Sequence, residues 1–265
     1  MTRHPPNLGS SLLGRRNPTV KLALLFLVSL AMMFVLDPVT PGVLYLLALG
    51  GVAGAAGVTV RTLLRAHIPF VAFACGIFVV NALSRGGDVV FEIMGMEVTA
   101  DGLALGTSLA LRTMVVGILS IGFVLSTEPV ALITSLNQHA RMGPRITYAL
   151  LAGYRMLQEM PAEWQTICHA HAVRAPAQQS LLIRARTFMG AAFSLLVVSL
   201  RKGERMAESL EGRGLGLHPR TVWRPVALSP ADWVFAGGVL VALSGVVVLS
   251  GALGFLRSPG ALFGE

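Results

Sequence analysis

Two arginines stand where long amphipathic stretches of this chain give out. Arg174 lies in Val173-Arg174-Ala175, closing a stretch that begins near Arg145, and Arg213 lies in Gly212-Arg213-Gly214, closing a second that begins near Ser180. A guanidinium is charged at every physiological pH and presents a planar fork of N–H donors that matches a carboxylate in two places. At the last turn of a helix it also meets the negative end of the helix dipole, so one such arginine needs no partner to explain it. Two of them, closing successive segments of one basic region, open a second reading: a docking surface for an acidic partner.

Other chemistry has little support. The sequence has no GxxxxGK[ST] phosphate loop, no HExxH and no paired-cysteine metal spacing, so ATP hydrolysis by this chain itself is not expected. His169 and His171 are two apart on an expected helix and do not share a face. His67 and His139 have no acidic or histidine neighbour at ligand spacing, and Cys75 and Cys168 form no disulfide framework. The chain reads as a non-enzyme that binds no cofactor and no metal of its own.

The elements that must place the arginines are legible from period. In the first stretch Ile146, Leu150, Gly153, Leu157, Met160, Trp164 and Ile167 recur at three- and four-residue steps, the helical repeat. A helix over 145–174 is about 45 Å long at 1.5 Å per residue. Arg155, Glu159 and Glu163 fall four apart on one face and can support one another. Pro161 is expected to kink or divide this helix, and Pro176 to end it. In the second stretch the apolar run 187–200 is shorter than the ~20 residues of a spanning helix, so it is expected to pack on protein or lie at an interface. Gly214 occupies the position just past a helix end where glycine is favoured.

The chain has 265 residues, 54% hydrophobic and 13% charged, with mean hydropathy +0.70. Ordinary soluble domains carry roughly 25% charged residues, so this is an integral membrane protein. Span candidates are 20–36, 42–60, 68–83, 103–126 and 233–256. The run at 20–36 is followed by DPVTPG rather than a cleavage site, which argues against a signal peptide. Gly50 and Gly54 offer a small-residue packing face. Arg112, inside the fourth span, is expected to snorkel to the nearby boundary. Residues 84–102 read as an acidic outer loop, and 127–224 as holding no stretch able to span.

Net charge is +8 and the pI is near 10.7, values that suggest nucleic acid in a soluble chain. The positions of the charges explain them otherwise. Arg3, Arg15, Arg16 and Lys21 precede the first span, Arg61 and Arg65 join the second and third, and twelve more lie between Arg141 and Arg224; all fall on one side, leaving Arg85 and Arg257 opposite. The positive-inside rule then puts the amino terminus and the amphipathic region in the cytoplasm. The fold expected is an all-α integral membrane protein of about five transmembrane helices, with a cytoplasmic or interfacial platform of long amphipathic helices inserted before the last span.

Three stretches carry a family resemblance. NPTVKL before the first span is similar to a proline-x-x-lysine opening, the stretch from STEPV through HAHAVRA resembles a segment ending in a first x-Arg-x motif, and RKGERMAESLEGRGLG resembles the second. Together with the order of spans they resemble the transmembrane coupling protein, or T component, of energy-coupling factor transporters, over almost the whole chain. The resemblance implies a tail at 1–19, a four-span region at 20–127, a coupling-helix domain at 128–214, a linker at 215–230 and a final span with tail at 231–265. It also implies two ABC-type ATPase subunits, which would use ATP and Mg²⁺ and receive Arg174 and Arg213 in acidic grooves. Closure of those subunits would move crossed coupling helices whose apolar faces grip a small substrate-binding membrane protein, the S component, for vitamin or transition-metal uptake at the cell membrane. Ala175 followed by Pro176 departs from the glycine more usual in the first motif.

Two alternatives remain from the residues alone. A membrane scaffold whose basic platform binds anionic headgroups explains the charge but not two arginine-terminated helices. A carrier working by itself would want an acidic residue at mid-membrane depth, and the spans offer none.

Overall fold

The computed structural model describes residues 11–55, 57, 60–84, 86, 89–93, 96–174, 180–217 and 225–254. The chain divides into two compact units, residues 1–132 with 227–265, and residues 133–226.

The first unit holds α1 (Pro18–Met32), α2 (Val39–Ala55), α3 (Val60–Ser84), α4 (Ala100–Leu125) and α8 (Pro230–Ala252). α4 is the element on which α1, α2 and α3 pack, while α8 lies against α1 and α2. Thr99 caps α4 by accepting the Gly102 N–H at 3.2 Å, and Asp101 sits at the positive end of its dipole. Glycines then let neighbours come close: a Cβ on Gly117 would stand 2.6 Å from Phe70 Cδ1, and one on Gly122 2.8 Å from Val52 Cγ2. The small-residue contact is therefore on α4. Gly50 and Gly54 have nothing within 4 Å of where a Cβ would be, so the face expected from their spacing makes no contact among the described residues. Val28, Met32, Val35, Leu44, Val115 and Leu243 form one apolar core, and Val52, Leu63, Ile118 and Ile121 a second. His67 is buried beside the second core, with Nε2 3.3 Å from the Tyr45 hydroxyl.

A buried polar cluster closes one end of this unit. Asn17 caps α1 by accepting the Thr19 N–H at 2.9 Å, and Pro18 fits the first turn because its missing N–H would have been unpaired there. Asp232 accepts the Asn17 N–H at 3.0 Å and the Ser229 N–H at 2.8 Å, joining the starts of α1 and α8. Lys21 donates to Leu13 O at 3.0 Å, to Ser126 O at 2.8 Å and to Ser126 Oγ at 3.2 Å, so its three N–H groups are all used. Lys21 is 5% exposed and Asp232 2%. The spacing treats Lys21 as a flanking topology charge; in the structure it is a buried part of the fold, because a cation at the last turn of α4 meets unpaired carbonyls there.

Arg112 differs from expectation in a similar way. Its guanidinium donates to Val35 O, and Ser108, one turn earlier on α4, donates to Asp37 O at 3.0 Å. The arginine fastens the connection between α1 and α2.

Three further expectations change. The acidic segment expected as an outer loop contains an antiparallel hairpin, β1 (Val89–Ile93) and β2 (Met96–Thr99), with Glu92 opposite Glu97. Two β-branched runs separated by two residues carry that signal, which the reading of the segment as a loop passes over. α3 begins at Val60, so Arg61 and Arg65 lie in its first turns and not in a loop. Among the described residues, α3, α4, α8 and α7 (Leu181–Gly212) are long and apolar enough to cross a membrane, whereas α1 and α2 have 15 and 17 residues. The run at 187–200 is too short only when Leu181, Leu182 and Ile183, beyond Arg184 and Arg186, are left out of it. Length and composition therefore do not exclude α7 from spanning.

Candidate functional site

The two arginines belong to the second unit. It contains α6 (Pro144–Val173) and α7, while the unit boundary falls within α5 (Pro129–His139). The turn into α6 is built by side chains: Asn137 Nδ2 donates to Met142 O and, at 2.9 Å, to Thr147 Oγ1, which donates to Gly143 O at 3.1 Å. Arg141 takes φ +54° in this turn, and Pro144 starts the helix. The Gln138 side chain accepts the Val226 N–H at 3.0 Å, and His139 Nε2 lies 2.9 Å from Val226 O.

Pro161 does not divide α6, which runs through it for 30 residues. A proline withdraws one backbone donor, and the neighbouring helix supplies support on both sides of it. Lys202 of α7 pairs with Glu159 and Glu163, Trp164 meets Phe188 edge-on at 5.5 Å, and His171 Nε2 lies 3.4 Å from Ser194 Oγ. The two glutamates thus answer a lysine on another helix instead of forming the expected row with Arg155. Gly190 lets His171 approach, since a Cβ there would lie 3.3 Å from His171 Cε1. Further along, Gly153 and Met156 of α6 and Gly203 and Ala207 of α7 line a groove of about 240 Å³ that also reaches Leu210.

Apart from the Trp164–Phe188 contact, low numbers on α6 meet high numbers on α7: Gly153 and Met156 with Gly203 and Ala207, Glu159 and Glu163 with Lys202, His171 with Gly190 and Ser194. The pair is antiparallel. Its ends therefore separate the arginines: Arg213 lies level with the first turns of α6 and Arg174 with the first two turns of α7, roughly 35 Å apart along the pair at 1.5 Å per residue.

Both arginines are the C-cap residue of their helix, with φ −94°, ψ −5° at Arg174 and φ −90°, ψ 10° at Arg213. Both are exposed, as are Val173 and Gly212, while Gly214 is half-buried. Ala175 lies outside the described residues. After Arg213 the Leu215 N–H reaches Leu210 O at 3.0 Å and the Gly214 N–H reaches Glu211 O at 2.9 Å, the paired bonds of a Schellman closure. Gly214 has φ +79°, and a Cβ there would also stand 2.9 Å from Leu217 Cδ1. Gly214→Ala is expected to weaken this closure by about 1–2 kcal/mol. Hydrogen exchange at the amides of Gly214 and Leu215 should then quicken roughly 5- to 30-fold; unchanged exchange would show that the glycine is dispensable.

The unit is thinly buried. Among its described residues Ser135, Thr147 and Ala191 are buried, while Met189, Phe193, Leu196 and Leu200 form an exposed apolar stripe at helical spacing on α7. On α6, Ile146, Leu150 and Leu157 do likewise. Large apolar side chains left in rows on two paired helices mark contact surfaces.

Residues 9–222 match the family model described as cobalt transport protein. The chain belongs to this family. It is also similar to energy-coupling factor transporter transmembrane proteins, 24% identical over 84% of this chain and 88% of the relative from Thermosediminibacter oceani, and 26% identical over 82% and 84% for the relative from Bacillus selenitireducens. A longer protein from Bifidobacterium longum, named as an ABC transporter ATP-binding protein, is 24% identical over 90% of this chain, which covers 32% of that protein. The family and these relatives, with the apolar helices, make the chain a multi-pass membrane protein and the T component of an energy-coupling factor transporter. The family and the energy-coupling factor relatives are named for transport.

Proposed function

We propose that this T component transmits the motion of two ABC-type ATPase subunits through Arg174 and Arg213 to a membrane S component that carries a vitamin or transition-metal ion. The observation that carries the reading is that the two longest helices end on exposed arginines in one cap conformation, at opposite ends of an antiparallel pair. Two separate acidic sites suit that spacing better than one. Val173, Gly212 and Gly214 frame the arginines, and Ala175 completes the first motif in sequence. ATP and Mg²⁺ act on the partner subunits, and this chain holds no cofactor. The exposed stripes on α6 and α7 are the faces on which the S component rides. The basic side of the chain, with α6, α7 and the amino terminus, faces the cytoplasm in the cell membrane.

The test is purification of the tagged chain from its own membranes in mild detergent, with mass spectrometry of what accompanies it and an ATPase assay. ABC-type ATPases together with a small hydrophobic membrane protein are expected. Recovery of the chain alone, under conditions that keep other membrane complexes whole, would overturn the reading.

A further inference from the structure

A groove of about 330 Å³ lies between the turn that carries Leu12 and Leu13, the end of α2 at Ala55, and the first turns of α8 at Val234 and Phe235, with Arg16 as its charged lining residue. The turn is fixed in place: the Leu13 N–H donates to Ala55 O at 3.0 Å, and Leu13 O accepts from Lys21. The coupling role makes no use of this groove, and a ligand there requires only that the chain be a membrane protein.

Its surface is open and apolar. Leu12 is 63% exposed and Val234 75%, and Trp233, which precedes Val234 on α8, is 69% exposed. Its charge is uncompensated, since among the described residues neither Arg15 nor Arg16 has a carboxylate within ion-pair distance. The carboxylate built into the start of α8 does not serve: Asp232 is buried, holds the Asn17 and Ser229 N–H groups, and makes no ion pair with Arg16. A soluble anion would find few polar groups in such a groove, and a hydrocarbon chain would leave the guanidinium unmatched. An amphiphile with an anionic head and acyl tails satisfies both. The exposed tryptophan marks headgroup depth, where such rings settle, and the groove lies at the ends of two apolar helices, α2 and α8.

We propose that this groove binds an anionic phospholipid, its phosphate on Arg16 with Arg15 nearby and an acyl chain against Leu12, Val234 and Phe235. A juxtamembrane arginine favours an anionic lipid about five-fold. The experiment uses the full chain with Trp164→Phe and Trp223→Phe, so that Trp233 alone reports, in nanodiscs of phosphatidylcholine with a minor fraction of phosphatidylglycerol. Bromine is placed on the acyl chains of one lipid or the other at equal mole fraction.

Brominated phosphatidylglycerol is expected to quench Trp233 several-fold more than brominated phosphatidylcholine. Arg16→Gln should bring that preference down about five-fold, Arg16→Lys should keep most of it, and Ala55→Phe should fill the groove and remove it. Quenching in proportion to bulk composition would overturn the proposal without recourse to any variant. So would a preference that survives both Arg16→Gln and Ala55→Phe, which would place the lipid elsewhere.

Discussion

Arg174→Ala combined with Arg213→Ala is expected to leave the chain inserted and helical yet reduce uptake to background. Both side chains are exposed in the chain, so their loss removes little of the fold. If each is desolvated against an acidic site in the assembled transporter, truncating it costs about 2–5 kcal/mol of that contact, or roughly 30-fold or more in affinity at each end. Because the arginines sit at opposite ends of the α6–α7 pair, the single variants should each weaken one ATPase contact and spare the other. Titration of purified ATPase onto wild-type, single and double variants separates the two sites, and uptake in the same membranes reports the outcome. Arginine to lysine should rescue poorly, since one ammonium cannot repeat a two-point contact. Wild-type uptake by the double variant would refute the coupling role.

The second large effect concerns Lys21. Replacing it with methionine keeps the length of the side chain but leaves Leu13 O, Ser126 O and Ser126 Oγ without their buried donor. Loss of one member of a buried charged network is expected to cost about 3 kcal/mol. For a chain of this size that is a fall of roughly 6–12 °C in thermal midpoint, read by circular dichroism or light scattering in detergent. Adding Asp232→Asn to Lys21→Met measures how much of the loss is charge, because the double variant then has neither the cation nor its counter-charge. A midpoint within 2 °C of wild type, on the order of 1 kcal/mol or less, would mean that the cluster carries little stability.

What the sequence discloses depends on the range of the signal. The extent of α6 can be read from its period and from Pro144 and Pro176, since those cues lie within a few residues of what they control. The same holds for Arg213, which stands one residue before a glycine that the chain needs at φ +79°. Lys21 defeats that kind of reading. One turn into an apolar run, it resembles any other flanking cation, and its acceptor Ser126 is 105 residues away. Glu159 and Glu163 mislead for a related reason: Arg155 lies four residues from Glu159 on the same helix, but Lys202 of the facing helix takes both carboxylates. Gly50 and Gly54 have the spacing of a packing face without a neighbour among the described residues to fill it, while Gly117 and Gly122, which do bring helices together, stand five apart and match no short motif.

The bond between Asn17 and Asp232 spans 215 residues. At roughly 5–20 residues per second, a ribosome needs on the order of 10–40 s to make the interval between them. Throughout that time the Asn17 N–H is without its Asp232 acceptor, and the whole stretch carrying both arginines is made before α8 emerges. The last helix is thus the closing piece of a unit begun by the first, and a chain interrupted before Pro230 carries its arginine-tipped helices on a membrane half that has not yet shut.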